Sequence, residues 1–219
     1  MSITIGVFDF FSYAIPGSLY LLTAIYLVSI FSGSTVNIQS ITLTGELIVV
    51  FGVGGYITGV LFDLIARTIW DWIFKDDQVK VKALADFKKR SEKVKVRFGA
   101  EDWPVLLAYI KHNSPENVFI IEKDKALSMM LRNVSVCCFS LFVGQSIFLF
   151  LNGLIYWQLS ISVAALIFSI LSARQSFRFD RWFFLGIYET AISLGPEMIN
   201  LIGEKREKLS TKNRFCRRS

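Results

Sequence analysis

Apolar residues dominate two long parts of the chain, residues 1–66 and 133–173, and neither part contains a lysine or an arginine. Apolar runs lie within or beside them at approximately 10–31, 45–67, 133–151 and 159–173. A run of about 20 residues is the length that a helix needs to cross a hydrocarbon core. Because a helix satisfies its own backbone hydrogen bonds in lipid, the pattern predicts an all-α polytopic membrane protein with a four-helix transmembrane bundle.

A polar stretch, residues 67–132, separates the second apolar run from the third. We predict a helical cytoplasmic insert here, with one solvated helix over 79–96 and a second that begins near Glu101. Ser114-Pro115-Glu116 then provides a hydroxyl cap, a first-turn proline and an early acid, which together predict a helix start. No break follows until Asn152-Gly153, so we expect one long helix whose first part, 115–132, projects from the membrane as a rigid stalk.

The fourth apolar run is short, and the arginine- and aromatic-rich residues 174–182 extend it toward the interface. Gly195-Pro196 ends this helix, and a last amphipathic piece, 197–209, precedes a basic tail. The predicted segments are 1–66 for the first two spans, 67–132 for the insert and stalk, 133–173 for the third and fourth spans, and 174–219 for the juxtamembrane helix and tail.

The charge distribution gives an orientation for these segments. All 24 lysines and arginines lie in residues 67–132 or from Arg174 onward, and the formal net charge is +6. Cytoplasmic loops carry the excess of basic residues in membrane proteins. We therefore expect the insert, the tail and both termini to be cytoplasmic. Topology alone accounts for this basic excess, so direct nucleic-acid binding is not expected, whereas contact with membrane lipids is.

Three groups of residues in the spans are candidate packing or functional positions. Gly52, Gly55 and Gly59 leave one face of the second span without side chains, which favours close helix packing within the bundle or between subunits. Asp63 lies four residues before Arg67, so it is either half of an interfacial ion pair or part of an ion or proton relay. Gln145 and Ser146 lie in the middle of the third span, where they either hydrogen-bond a neighbouring helix or line a conducting path.

Aromatic and basic residues next to the spans are typical of the membrane interface. On this basis, the interfacial candidates are Trp70, Trp72, Arg174, Arg178, Arg181 and Trp182.

The chain offers little that points to catalysis. Its cysteines, Cys137, Cys138 and Cys216, and its single histidine, His112, have no metal-site spacing. No glycine-rich phosphate loop, GxSxG motif or HExxH motif occurs. We therefore expect a non-enzymatic protein without a cofactor, a catalytic residue or a metal site.

Two functions remain open. One is a homo-oligomeric membrane scaffold that presents its cytosolic helices to a soluble protein partner. The other is an oligomeric ion channel or depolarising pore, lined by Gln145, Ser146, Asn152, Asp63 and Glu46 around an axis between subunits. A secondary transporter is disfavoured, because the four spans show no evident repeat.

The opening FDFFSYAIPG, the glycine-rich second span and the basic insert give the chain a family resemblance. In length and layout it resembles the small four-span proteins of bacterial anti-phage defence, most of all the membrane subunits of the Kiwa system. The resemblance implies a homo-oligomer, with a tetramer as one candidate, in the bacterial inner membrane. It also implies a sensor of phage infection that works with a cytosolic DNA-binding partner of the KwaB kind.

Overall fold

The structure is a computed structural model, which describes residues 3–33, 45–73, 77–91 and 98–195. Several parts of the predicted layout lie outside the described residues. They are residues 34–44 between the first two spans, the Glu46 side chain, the last part of the 79–96 helix and everything from Pro196 onward, including the basic tail. The described residues contain helices and no strand. The predicted all-α fold is confirmed.

Six α-helices and one short 3-10 helix make up the described chain. They are α1 (Ile3–Ser32), α2 (Gly45–Ile73), α3 (Asp77–Arg90), a 3-10 helix at Ala100–Asp102, α4 (Trp103–Asn113), α5 (Pro115–Asn152) and α6 (Tyr156–Ser193). Four of them, α1, α2, α5 and α6, are long and apolar enough to cross a membrane. The chain is therefore a multi-pass membrane protein. The predicted single helix from Pro115 is confirmed, and α3 covers Asp77–Arg90 of the region where a helix over 79–96 is predicted.

The helices form two compact units. The bundle unit comprises the described residues within Met1–Phe74 and Lys125–Phe179, and the insert unit comprises those within Lys75–Asp124 and Asp180–Ser219. Consequently α5 and α6 each supply residues to both units without interruption. The first part of α5, predicted to be a stalk, includes Val118 and Ile121, which are buried in the core of the insert unit.

The residues buried inside the bundle unit are mostly small or polar, whereas those exposed on its surface are mostly apolar. All but one of the buried polar or charged residues among those described belong to this unit, and most of them are serines. Large apolar side chains such as Leu64, Phe150 and Phe168 are exposed on its surface. Membrane helices pack through small and hydrogen-bonding residues because lipid is as apolar as leucine, so this distribution fits a lipid-embedded bundle.

Helices α1 and α2 approach each other most closely where both have glycine residues. A Cβ atom at Gly59 would overlap the Tyr13 carbonyl, and one at Gly17 would lie 2.5 Å from the Gly59 amide nitrogen. Beside this crossing, the Ser18 hydroxyl donates to the Phe51 carbonyl oxygen at 3.1 Å. The two backbones therefore approach too closely to admit any side chain at these positions.

Helices α5 and α6 meet through paired serines. Ser135 Oγ donates to the Ser169 carbonyl oxygen at 2.9 Å, and Ser169 Oγ donates to the Ser135 carbonyl oxygen at the same distance. Ser128 and Ser176 form a second pair, with their hydroxyl oxygens 3.2 Å apart. On each helix the two serines are seven residues apart, so each set lies on one helix face.

The insert unit has the opposite composition inside. Its core includes Phe87 of α3, Leu106 and Ile110 of α4, and Phe183 and Tyr188 of α6, all buried. This is the apolar interior that water imposes on a globular domain. The predicted insert supplies only part of this core, because α6 contributes Phe183, Phe184 and Tyr188 to it.

The close approach of α1 and α2 predicts that a glycine-to-alanine substitution lowers stability at Gly59 but not at Gly52. We expect Gly59→Ala to destabilise the protein by about 1–3 kcal/mol, because the new Cβ overlaps fixed backbone atoms. Gly52→Ala is the matched control on the same helix, where a Cβ meets nothing within 4 Å. It should be neutral or stabilising by up to about 1 kcal/mol, since alanine favours helix.

The stability of both variants is measured by unfolding each protein in a detergent titration. A Gly59→Ala protein as stable as the Gly52→Ala protein would contradict the close approach of α1 and α2.

Candidate functional site

The candidate site is a buried ion pair between α2 and α5. Asp63 Oδ1 accepts hydrogen bonds from Arg132 Nη2 at 2.8 Å and from Asn133 Nδ2 at 2.9 Å. The sequence suggested Arg67 as the partner of Asp63, but Arg67 is exposed. The carboxylate instead binds two consecutive residues of α5, so one α2 side chain fixes the position of α5 beside it.

Burial makes this pair energetically important. Only 10% of the Arg132 side chain and 15% of the Asp63 side chain are exposed. Charges removed from water lose their hydration, so each needs its partner, and removing one partner leaves an uncompensated charge. The pair is therefore a strong constraint on the arrangement of α2 and α5, whatever its net contribution to stability.

Helix α1 joins the same site through Tyr20. The buried Tyr20 hydroxyl donates to the Asn133 carbonyl oxygen at 3.1 Å, and the Tyr20 ring stacks on Phe62 with centroids 4.4 Å apart. Phe62 directly precedes Asp63 on α2. Three helices thus converge within one turn around Asp63, Arg132 and Asn133.

The site keeps hydrogen-bonding capacity that its described neighbours do not use. Arg132 Nε and Asn133 Oδ1 are buried and have no hydrogen-bond partner among the described residues. A donor and an acceptor therefore remain next to the ion pair. A partly satisfied polar network is more open to a change of partners than a complete one.

Gln145 and Ser146 contact different neighbours. Gln145 is fully buried and its Nε2 donates to the Tyr26 hydroxyl oxygen of α1 at 2.6 Å. Ser146 Oγ donates to the Phe142 carbonyl oxygen within α5 and lies 3.4 Å from Ser162 Oγ of α6. The two residues thus sit between helices of one bundle, and the buried Gln145 does not lie on the outer surface, where an axis between subunits would run.

The three candidate glycines of α2, Gly52, Gly55 and Gly59, separate into two groups. Gly55 and Gly59 contact the α1 backbone, which is the packing within the bundle that the sequence left open. A Cβ atom at Gly52 would meet nothing within 4 Å. Gly52 therefore takes no part in the crossing.

The interfacial candidates also differ from one another. Trp72 is 86% exposed, but Trp70 is buried and stacks on Phe177 with ring centroids 4.8 Å apart. Arg174 and Arg178 are exposed in the bundle unit. In the insert unit, Arg181 forms an ion pair with Asp86, and Trp182 is 38% exposed.

Sequence reasoning identified Asp63 but missed the residues that bind it. Arg132 was identified only as the last basic residue of the insert, and Tyr20 and Asn133 were not singled out. The one available signal was the recurrence of serine every seven residues at 162, 169 and 176, and at 128 and 135. It marks the faces that bring α5 and α6 together, but it does not reveal the partner of Asp63.

No group of three or more histidine, cysteine, aspartate or glutamate residues in the described part of the chain is placed to hold a metal ion. No family model, curated protein or solved structure matches the chain. The described chemistry of the site is thus the ion pair and its hydrogen bonds, which join α1, α2 and α5.

Neutralising one member of the ion pair tests its role. We expect Asp63→Asn to destabilise the protein by about 3–5 kcal/mol, because it leaves the Arg132 guanidinium buried without a counter-charge. The control is Arg67→Gln, one turn along the same helix and exposed, which should change stability by less than about 0.5 kcal/mol. Detergent-induced unfolding monitored by circular dichroism provides the measurement; equal stability of the two variants would argue against a buried pair.

Proposed function

We propose that the chain is a non-enzymatic sensor and scaffold of the bacterial inner membrane. In this proposal it forms a homo-oligomer, keeps both termini in the cytoplasm and couples a perturbation of the membrane to a cytosolic protein partner. The antiviral setting rests on the resemblance to the Kiwa membrane subunits, with phage infection as the perturbation and a DNA-binding KwaB-like subunit as the partner.

The observation that carries the coupling proposal is the continuity of α5 and α6. Each is a single helix of 38 residues that contributes to both the bundle unit and the insert unit. A helix resists bending and twisting along its length because its backbone hydrogen bonds run parallel to its axis. In this proposal, a rotation or shift of α5 within the bundle unit passes along its backbone to the part of α5 that belongs to the insert unit.

The buried ion pair supplies an element that a perturbation can change. Arg132 lies on α5 eight residues after the unit boundary at Asp124, and it binds Asp63 of α2. Altered packing of α2 against α5 changes the environment of both charges. In this proposal, a second arrangement of the same groups uses the Arg132 Nε donor and the Asn133 Oδ1 acceptor, which have no partner among the described residues; a two-state switch requires two such arrangements.

The alternative function is an oligomeric ion channel or depolarising pore. It depends on Asp63, Gln145 and Ser146 facing an axis between subunits. In the described structure these residues bind neighbouring helices of the same bundle. The scaffold proposal is therefore preferred, and ion flux separates the two functions.

Interrupting α5 at the unit boundary tests the coupling. We expect a Gly-Gly insertion between Asp124 and Lys125 to abolish protection, because the two extra residues rotate the following part of α5 by about 200° and the glycines weaken the helix by about 2 kcal/mol. The measurement is the plating efficiency of phage on cells that express the chain together with the neighbouring gene. The matched control is the same insertion after Gly153, in the turn between α5 and α6, which should preserve protection.

The amount of each insertion variant in the membrane is measured in the same cells, and its oligomeric state is measured by cross-linking. Full protection by a protein interrupted at Asp124, present at normal level, would refute the coupling. Purified protein in vesicles, without partner, should conduct no ions, and sustained ion flux there would favour the pore. Failure of protection with any wild-type gene pair would instead refute the antiviral setting.

A further inference from the structure

Helix α3 buries one face and exposes the other. Ala83, Leu84 and Phe87 are in the core of the insert unit. On the opposite side, the exposed residues include Val81, Lys82, Ala85, Lys88 and Lys89; we call this set the α3 basic face. Because α3 is anchored by its apolar side, these five positions point outward as a fixed group.

The positive charge of the α3 basic face is not compensated within the described chain. Asp86 and Arg90 are on α3 but are engaged by Arg181 and Glu189 of α6. Lys82, Lys88 and Lys89 have no ion pair or hydrogen bond among the residues whose side chains are described. Three lysines therefore share one helix face, and none of them forms an ion pair with a carboxylate of the described side chains.

The helix dipole accounts for only part of this arrangement. Lys88 and Lys89 are in the last turn of α3, where a cation interacts favourably with the helix terminus. Lys82 is in the first half of the helix, where that effect gives no benefit. An ordinary solvated face mixes both signs of charge, whereas the charged side chains described on this face are all positive.

Two further features point to a lipid surface as the occupant. Val81 is 56% exposed beside Lys82, and an apolar residue among lysines suits a surface where ammonium groups bind headgroups and the apolar side chain enters the interface. In the sequence, only residues 74–76 separate α3 from α2, whose last turn exposes Trp72. The face therefore follows directly after a membrane-spanning helix and its interfacial tryptophan.

We propose that the α3 basic face binds the anionic phospholipid headgroups of the leaflet from which α2 emerges. Each lysine contributes attraction to the negative surface, and the attraction weakens with added salt. This binding is independent of the antiviral role and requires only that the chain spans a bilayer.

A fluorescent reporter on this face tests the proposal in the full-length protein. The three native cysteines are replaced by alanine, and Ala85→Cys carries an environment-sensitive dye. The protein is placed in nanodiscs of phosphatidylcholine with or without phosphatidylglycerol. We expect the Ala85 dye to shift to shorter wavelength only with phosphatidylglycerol, and this shift to disappear at high salt.

Two controls test whether the dye response comes from the α3 basic face. The dye at His112→Cys, exposed on α4, should show no dependence on phosphatidylglycerol. The triple variant Lys82→Gln, Lys88→Gln, Lys89→Gln should abolish the Ala85 shift, whereas the Lys→Arg triple should retain it. Circular dichroism verifies that each triple variant is folded; a misfolded Gln triple is replaced by the three single Lys→Gln variants, each of which should reduce the shift.

Several results would overturn the proposal. They are an Ala85 spectrum that does not change with phosphatidylglycerol, an equal shift at His112, or a shift that survives removal of the lysines. A response in phosphatidylcholine discs to added polyglutamate or DNA, with none to phosphatidylglycerol, would assign the face to an acidic protein or a nucleic acid instead.

Discussion

The bundle unit depends on the contact between the Asp63 carboxylate and the Arg132 guanidinium. In lipid, helices gain no hydrophobic stabilisation from contacting each other, so directional contacts must select one arrangement. A buried charge satisfies this need strongly, because any arrangement that separates it from its partner leaves it unpaired. Asn133 and Tyr20 then add hydrogen bonds that fix α5 and α1 around the same point.

The bundle unit buries mainly small and polar side chains, and the insert unit buries mainly apolar ones. Along α5 and α6, the buried face of one helix changes from polar to apolar residues between the two units. Along α6, residues 162, 169, 176 and 183 are spaced by seven; the first three are serines and the last is Phe183. Along α5, Ile121 is followed at the same spacing by Ser128 and Ser135. Each change falls at the unit boundary, near 124 and 179. The same face therefore packs through hydrogen bonds in the bundle unit and through apolar burial in the insert unit.

The sequence predicted the helices but not their partners. Length and apolarity located the four long helices, and Pro115 located the start of α5, because these are local properties of the chain. Asp63 was paired with Arg67 because local spacing offers only a residue on the same helix, whereas Arg132 is 69 residues away. The aromatic residues after Arg174 resembled an interfacial belt, and only tertiary packing shows that Phe183 and Tyr188 complete the insert core. Similarly, nothing local distinguishes the buried Trp70 from the exposed Trp72.

The central claim is that opposite charges at positions 63 and 132 hold α2 against α5, and exchanging them tests it most directly. Asp63→Arg and Arg132→Asp each place two like charges side by side, so each single variant should fail to reach wild-type stability in detergent-induced unfolding. The double variant restores opposite charges and should recover most of the lost stability. A double variant whose loss equals the sum of the two single losses would contradict the account.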